Sequence, residues 1–265
     1  MRYETITLPG GATLTSYVPA PTVAEDDHRM GLVICPGGGY THLSPREGEL
    51  MALRLASRGV SCFVLGYHLA PDRFPTQLCD AAQAVAYVRS HAESFCIQPD
   101  RIAIMGFSAG GHVAGSLGVW WQDADLMEQA GVVPEAAHPN AMVLCYPVIT
   151  AGEKAHRGSF VALTGSEDVT DHLPYSLDEH VTAQTPPTFL WHTWQDGAVP
   201  VENTLLMAQA LKASGVQAEV HIYPFGGHGL AMADETTAVP GYDGQIIPEV
   251  QGWLEDAFRF LKQVL

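Results

Sequence analysis

The sequence predicts an α/β protein: a mostly parallel central sheet with antiparallel N-terminal strands, helices on both faces and a small insertion. Three observations carry that prediction. Short apolar runs alternate with segments of helical period along most of the 265 residues. The runs VICP, CFVLGY, IAIMGF and AMVLCYP are continuously apolar, as strands covered by helices on both faces are. The chain opens differently, on two stretches of alternating polarity, Tyr3 to Leu8 and Ala12 to Val18. These meet at Pro9-Gly10-Gly11 and read as an antiparallel hairpin.

The elements that follow mostly alternate. A strand at Leu32 to Cys35 leads to a helix from about Pro45 to Arg58. A strand at Val60 to Gly66 leads to a helix at Thr76 to Ala92, and a strand at Arg101 to Met105 to a helix after Ser108. Strands at Ala141 to Tyr146 and Thr188 to Thr193 come next. A helix at Val201 to Ala213, a strand at Ala218 to Tyr223 and a helix from about Pro248 to Val264 close the series. No repeat, charge block or Gly/Ser linker interrupts it, so residues 1–265 read as one domain. The stretch from about Pro147 to Pro186 carries extra, partly helical sequence and reads as a small cap-like insertion near the rim of the sheet. Its polar strings GEKAHRGS and GSEDVTDH are unlike an apolar lid.

Composition excludes several function classes. With 13 Lys+Arg against 29 Asp+Glu the net charge is −16, and 47% of residues are hydrophobic. A chain of this length buries roughly 70–75% of its unfolded surface, so its core needs neither disulfides nor a structural metal. The acidic balance argues against nucleic acid or anionic lipid as a partner. No stretch approaches the roughly eighteen apolar residues of a membrane span, and the N-terminus has no charged start followed by an apolar block. Cys35, Cys62, Cys79, Cys96 and Cys145 are odd in number, lack a CxxC pair and mostly sit in apolar runs. They read as buried thiols of a cytoplasmic protein. Edge-strand pairing or a helix face would allow a homo-oligomer.

The most informative string is RIAIMGFSAGG, Arg101 to Gly111: a strand, the pattern GxSxG, then a helix. A tight strand-to-helix turn presents Ser108 as a nucleophile, and Gly106 and Gly110 stand where a Cβ would collide with backbone. The helix N-terminus behind it favours developing negative charge. A second string, CPGGGY from Cys35 to Tyr40, follows the first core strand. Its glycines let backbone N–H groups approach a tetrahedral intermediate, so the oxyanion donors are the N–H of Gly38 or Gly39 and that of Ala109.

A nucleophilic Ser needs a His base, and the base needs a carboxylate, in the chain order Ser, acid, His. Of the twelve histidines, His28, His42, His68 and His91 precede Ser108. His192 and His221 fall in predicted strands, and His112 lies on the helix after the Ser. His138, His156, His172 and His180 fall before or within the insertion. His228, in the loop FGGHGL after the last strand, fits. Asp196, in WQDGAVP, fits as the acid, although Asp before Gly and ahead of a helix is also ordinary turn and cap chemistry. Asp168, Asp171, Asp178 and Asp234 fit order or position less well. Tyr40, Trp194 and Met232 adjoin these positions in sequence and are candidates for a small substrate pocket or a sugar-stacking face. There is no HExxH, CxxC or compact His cluster, so no metal is expected, and the chemistry requires no cofactor.

With these residues in place, the chain from about Gly31 to the C-terminus resembles the esterase branch of the α/β-hydrolases. More narrowly it resembles small carbohydrate esterases of the acetyl esterase or acetylxylan esterase type. The segments GYHLAP, TPPTFLWHTWQDGAVPVEN and YPFGGHGLAMA add to that likeness. Pro36 stands where many broader relatives have His before the glycine run. The resemblance implies an α/β-hydrolase fold and a small-molecule ester substrate, foremost acetate on a sugar hydroxyl. Feruloyl-type esters, other small esters, lactones, and a hydrolase fold kept only for binding are the alternatives.

Overall fold

The computed structural model describes residues 1–20 and 29–265; His28 therefore lies outside the described residues. Eight strands form one sheet: β1 (Arg2–Thr7), β2 (Thr13–Val18), β3 (Gly31–Cys35), β4 (Ser61–Gly66), β5 (Ile102–Phe107), β6 (Ala141–Cys145), β7 (Thr188–Thr193) and β8 (Ala218–Tyr223). Their spatial order is β1-β2-β4-β3-β5-β6-β7-β8. The β1–β2 and β2–β4 pairs are antiparallel and every other pair is parallel.

The central strands are apolar throughout because each face has its own core. In β3, Val33 and Cys35 enter one core while Leu32 and Ile34 enter the other. In β5, Ile102 and Ile104 oppose Ala103, Met105 and Phe107 in the same way. The first core takes in helices α2 (Thr76–Ser90), α3 (Ala109–Trp120) and α7 (Glu202–Ala213). The second is covered by α1 (Glu49–Ala56) and α8 (Trp253–Val264). In α8 the buried residues Trp253, Leu254, Ala257, Phe260 and Leu261 form one stripe at helical spacing, and Trp253 stacks on Trp191 of β7 at 4.9 Å.

Four helices differ from the sequence expectation. The helix expected over Pro45 to Arg58 is a 3-10 turn, Pro45–Glu47, followed by α1. Gly48, at φ −105° and ψ −100°, breaks the two apart and turns Glu47 inward. The last helix begins at Trp253, because Pro248 to Gly252 form turns. Two short helices, α4 (Ala124–Ala130) and α5 (Pro134–Ala137), fill a stretch where the sequence pattern gave no element. Between β6 and β7 run α6 (Arg157–Thr164) and three 3-10 turns.

The topology gathers the functional loops. The CPGGGY loop follows β3, Ser108 follows β5, Asp196 follows β7 and His228 follows β8, all at the C-terminal ends of parallel strands. Ligands of open α/β sheets bind at this edge. Because β3 and β5 are neighbours in register, with Cys35 opposite Gly106, the glycine run lies beside Ser108.

Candidate active site

Ser108 occupies the turn between β5 and α3 with φ 53° and ψ −120°, a sparsely populated conformation for a residue with a side chain. Its surroundings hold it there. The Ser108 N–H donates to the Cys145 carbonyl at 3.0 Å, and the Ser108 carbonyl accepts from Val148 N–H at 3.0 Å and from the first turn of α3. A Cβ on Gly106 would lie 2.0 Å from the Gly110 carbonyl oxygen, and one on Gly110 would lie 2.1 Å from that of Cys35. No side chain fits either place, which is why the turn reads GxSxG.

The structure brings Ser108, His228 and Asp196 into one hydrogen-bonded line. Ser108 Oγ lies 2.7 Å from His228 Nε2, and His228 Nδ1 lies 2.6 Å from Asp196 Oδ2. The Asp196 side chain is withdrawn from water, whereas that of His228 keeps 23% of its surface exposed. The backbone N–H groups of Ala198 and Val199 donate to Asp196 Oδ1, each at 2.9 Å. Burial opposes the charged carboxylate, but hydrogen bonds from His192 and His228 outweigh it and hold Asp196 well below the usual carboxylate range. A charged Asp196 requires Nδ1 of His228 to carry the proton, which leaves Nε2 as the acceptor facing Ser108.

Gly38, Gly39 and Ala109 border the same place. Gly38 and Gly39 line a cavity of 440 Å³ together with Ser108 and His228, and Ala109 opens α3 directly after Ser108. Among the described residues their N–H groups have no protein partner. The N–H of Gly37, by contrast, is committed to the Glu47 carboxylate at 2.8 Å. Apart from glycines, every residue lining the cavity is polar or charged.

Tyr40, Trp194 and Met232 do not line this cavity, which corrects the pocket expected from the sequence. Tyr40 is buried, and its hydroxyl bonds His112 Nδ1 at 2.8 Å. His112 Nε2 in turn donates to the Tyr175 carbonyl, and burial pushes the ring down to about 4, so His112 is a neutral core residue. Trp194 follows β7 with its side chain out in solvent, 64% exposed. Met232 packs into the second core and borders a separate hollow beside Arg54 and Asp234. Closeness in sequence says nothing about the direction of a side chain, and here all three point elsewhere.

Four residues of the site escaped the sequence reading. His192, set aside as a strand residue, is fully buried at the end of β7 and donates through Nε2 to Asp196 Oδ2 at 3.2 Å and to the Val199 carbonyl at 3.0 Å. Its Nδ1 bonds the Thr204 hydroxyl at 2.8 Å. The spacing of four between His192 and Asp196 was the only available signal. Glu47 is buried, and its second oxygen accepts from the Tyr146 hydroxyl at 2.6 Å. That hydroxyl accepts the Ala231 N–H at 3.0 Å, and the Tyr146 ring meets His228 edge-on at 5.1 Å. His156, at the start of α6, lines the cavity with Ser108. Among the described residues no group of three or more His, Cys, Asp or Glu side chains is placed to hold a metal ion.

Comparison with known proteins supplies relatives of this chain. Endo-1,4-beta-xylanase B of Butyrivibrio fibrisolvens is 37% identical over 218 residues, which is 80% of this chain and 34% of that protein. An acetylxylan esterase of Xylanibacter ruminicola is 29% identical over 264 residues, 94% of this chain and 51% of that protein. The chain thus spans 34% and 51% of the length of these curated relatives. The crystal structure of an acetyl ester-xyloside bifunctional hydrolase from Caldicellulosiruptor lactoaceticus superposes with a TM-score of 0.81 at 37% identity, covering 97% of this chain and 89% of that one. Fold and relatives define an α/β-hydrolase. Within it, the chain belongs to the BD-FAE family, whose model matches residues 18–211.

Proposed function

We propose that this chain is a serine esterase that removes acetate from O-acetylated sugars or xylo-oligosaccharides through an acyl-enzyme. The observation that carries the reading is the line from Ser108 Oγ through His228 to the buried Asp196, opening into a cavity lined by glycines and polar or charged residues. His228 Nε2 takes the Ser108 proton as Oγ attacks the ester carbonyl. Asp196 orients the ring and stabilises the imidazolium. The N–H groups of Ala109 and of Gly38 or Gly39 receive the oxyanion, with Gly37 unavailable because Glu47 holds it. The imidazolium then protonates the departing alcohol, and a water activated by the same base releases the acid.

A cavity of only 440 Å³, lined by glycines and polar side chains, supports a short acyl group on a hydrophilic alcohol. In this reading residues 1–265 work as one domain, with 147–186 as a small cap-like insertion and a small-molecule ester as the partner. The five unpaired cysteines support a reducing compartment such as the cytoplasm. Among the described residues no helix is long and apolar enough to cross a membrane.

Acetate release from acetylated xylo-oligosaccharides, compared between wild type and Ser108→Ala, tests the proposal. Wild type is expected to release acetate, and Ser108→Ala to lose turnover by roughly 10⁴-fold or more. Undiminished hydrolysis in the variant would remove Ser108 from the mechanism. Hydrolysis of 4-nitrophenyl acetate without release from the sugar would keep the esterase and remove the carbohydrate.

A further inference from the structure

We propose that His156 reads a hydroxyl group next to the scissile ester, so that this cavity selects acyl esters of vicinal diols, as in partly acylated sugars. The inference rests on the esterase reading above and deepens it.

His156 precedes α6 and lines the same cavity as Ser108 and His228. Its Nδ1 is committed to the helix: the Ser159 backbone N–H lies 3.3 Å away and the Ser159 hydroxyl 2.8 Å away. A backbone N–H only donates, so Nδ1 is the acceptor and the proton of the neutral ring sits on Nε2. Among the described residues no protein group bonds that Nε2. Burial first, and the neighbouring His228 second, push the His156 pKa below its ordinary value of 6.5. At neutral pH the ring is therefore an uncharged donor and does not compete with His228 as a base.

The helix cap fixes the ring, and the cap uses only one of its two nitrogens. The other is a pre-oriented N–H at the reaction cavity, and pre-orientation is what selective recognition of a hydroxyl requires. The remaining walls are glycines and polar or charged residues, which offer further hydrogen-bonding groups to a hydroxylated alcohol. Among substituents next to an ester, a hydroxyl satisfies such a donor, whereas a methylene leaves it unpaired.

The test compares trans-2-hydroxycyclohexyl acetate with cyclohexyl acetate, two esters that differ by the vicinal hydroxyl alone. Wild type is expected to favour the hydroxylated ester by about tenfold in kcat/KM, and His156→Asn to abolish most of that preference. Asn is a preferred N-cap residue and keeps an acceptor for Ser159 N–H, so α6 keeps its start while the shorter amide draws the donor back from the place of Nε2. His156→Gln, whose amide extends further, is expected to recover part of the preference. If His156 is only a cap, His156→Asn retains the full wild-type preference, and that result overturns the proposal. A wild type with no preference overturns it equally, while leaving the esterase reading intact. If wild type hydrolyses neither ester, the esterase reading fails and this inference falls with it.

Discussion

Asp196 takes four hydrogen bonds, from two imidazoles and two backbone N–H groups, with a side chain removed from water. This environment stabilises the carboxylate over the acid, so its folded-state pKa lies below the ordinary 3.8. The folded state then binds that proton more weakly than the unfolded chain does. Its contribution to stability is complete above the ordinary value and is lost as pH falls below it toward the folded value. Asp196→Asn removes a titrating carboxylate, so the gap in melting temperature between wild type and variant should be widest near about pH 7 and narrow below about pH 4. A gap that stays constant down the acid range would show that Asp196 has an ordinary pKa. The order Ser, Asp, His was legible at this scale because each residue sits in a loop with its own motif. His192 was not, because a strand residue faces one core or the other, and its side chain turns to the site only through where β7 ends. Tyr40, Trp194 and Met232 failed for a related reason: each neighbours a functional loop, yet local backbone direction sends it into a core or out to solvent.

Glu47 ties three elements together. Its carboxylate holds Gly37 of the loop after β3 and the Tyr146 hydroxyl at the end of β6, and that hydroxyl receives Ala231 from the loop carrying His228. The 3-10 turn Pro45–Glu47 and the break at Gly48 exist in the service of this contact, since a continuous helix over Pro45 to Arg58 would aim Glu47 elsewhere. Tyr146→Phe keeps the ring but leaves one Glu47 oxygen and the Ala231 N–H buried without their partner. The expected cost is about 1–3 kcal/mol for each group left unpaired. Urea unfolding measures it, and a loss below about 0.5 kcal/mol would mean that the three elements hold their positions without the bridge. The central strands were legible because burial on both faces makes them uninterrupted apolar runs, and α8 because one face alone is buried. The short helices α4 and α5 were not, since seven and four residues give too few turns for an apolar stripe to stand out. The break before α1 was hidden because a buried carboxylate looks, in sequence, like any surface Glu.

Over the whole molecule the balance of 13 basic against 29 acidic residues sets a negative field that substrates meet before they reach the site. The basic side chain at the cavity, Arg46, does not reverse it locally, because its guanidinium is turned to the carbonyls of Gly229 and Thr237 and Glu47 lies beside it. An ester on a neutral oligosaccharide feels none of this field, whereas one on an oligosaccharide bearing uronic acids is repelled. Raising salt from about 0.02 M to about 0.3 M shortens the screening length from roughly 20 Å to under 10 Å and removes most of that repulsion. For the acidic substrate kcat/KM should therefore rise with salt, through a lower KM and an unchanged kcat, while for the neutral one both stay level. Equal salt dependence for the two would show that the field at the cavity mouth is not that of the molecule. A fall with salt for the acidic ester would mean that the local charge there is positive, and would shift the preferred substrates toward acidic sugars.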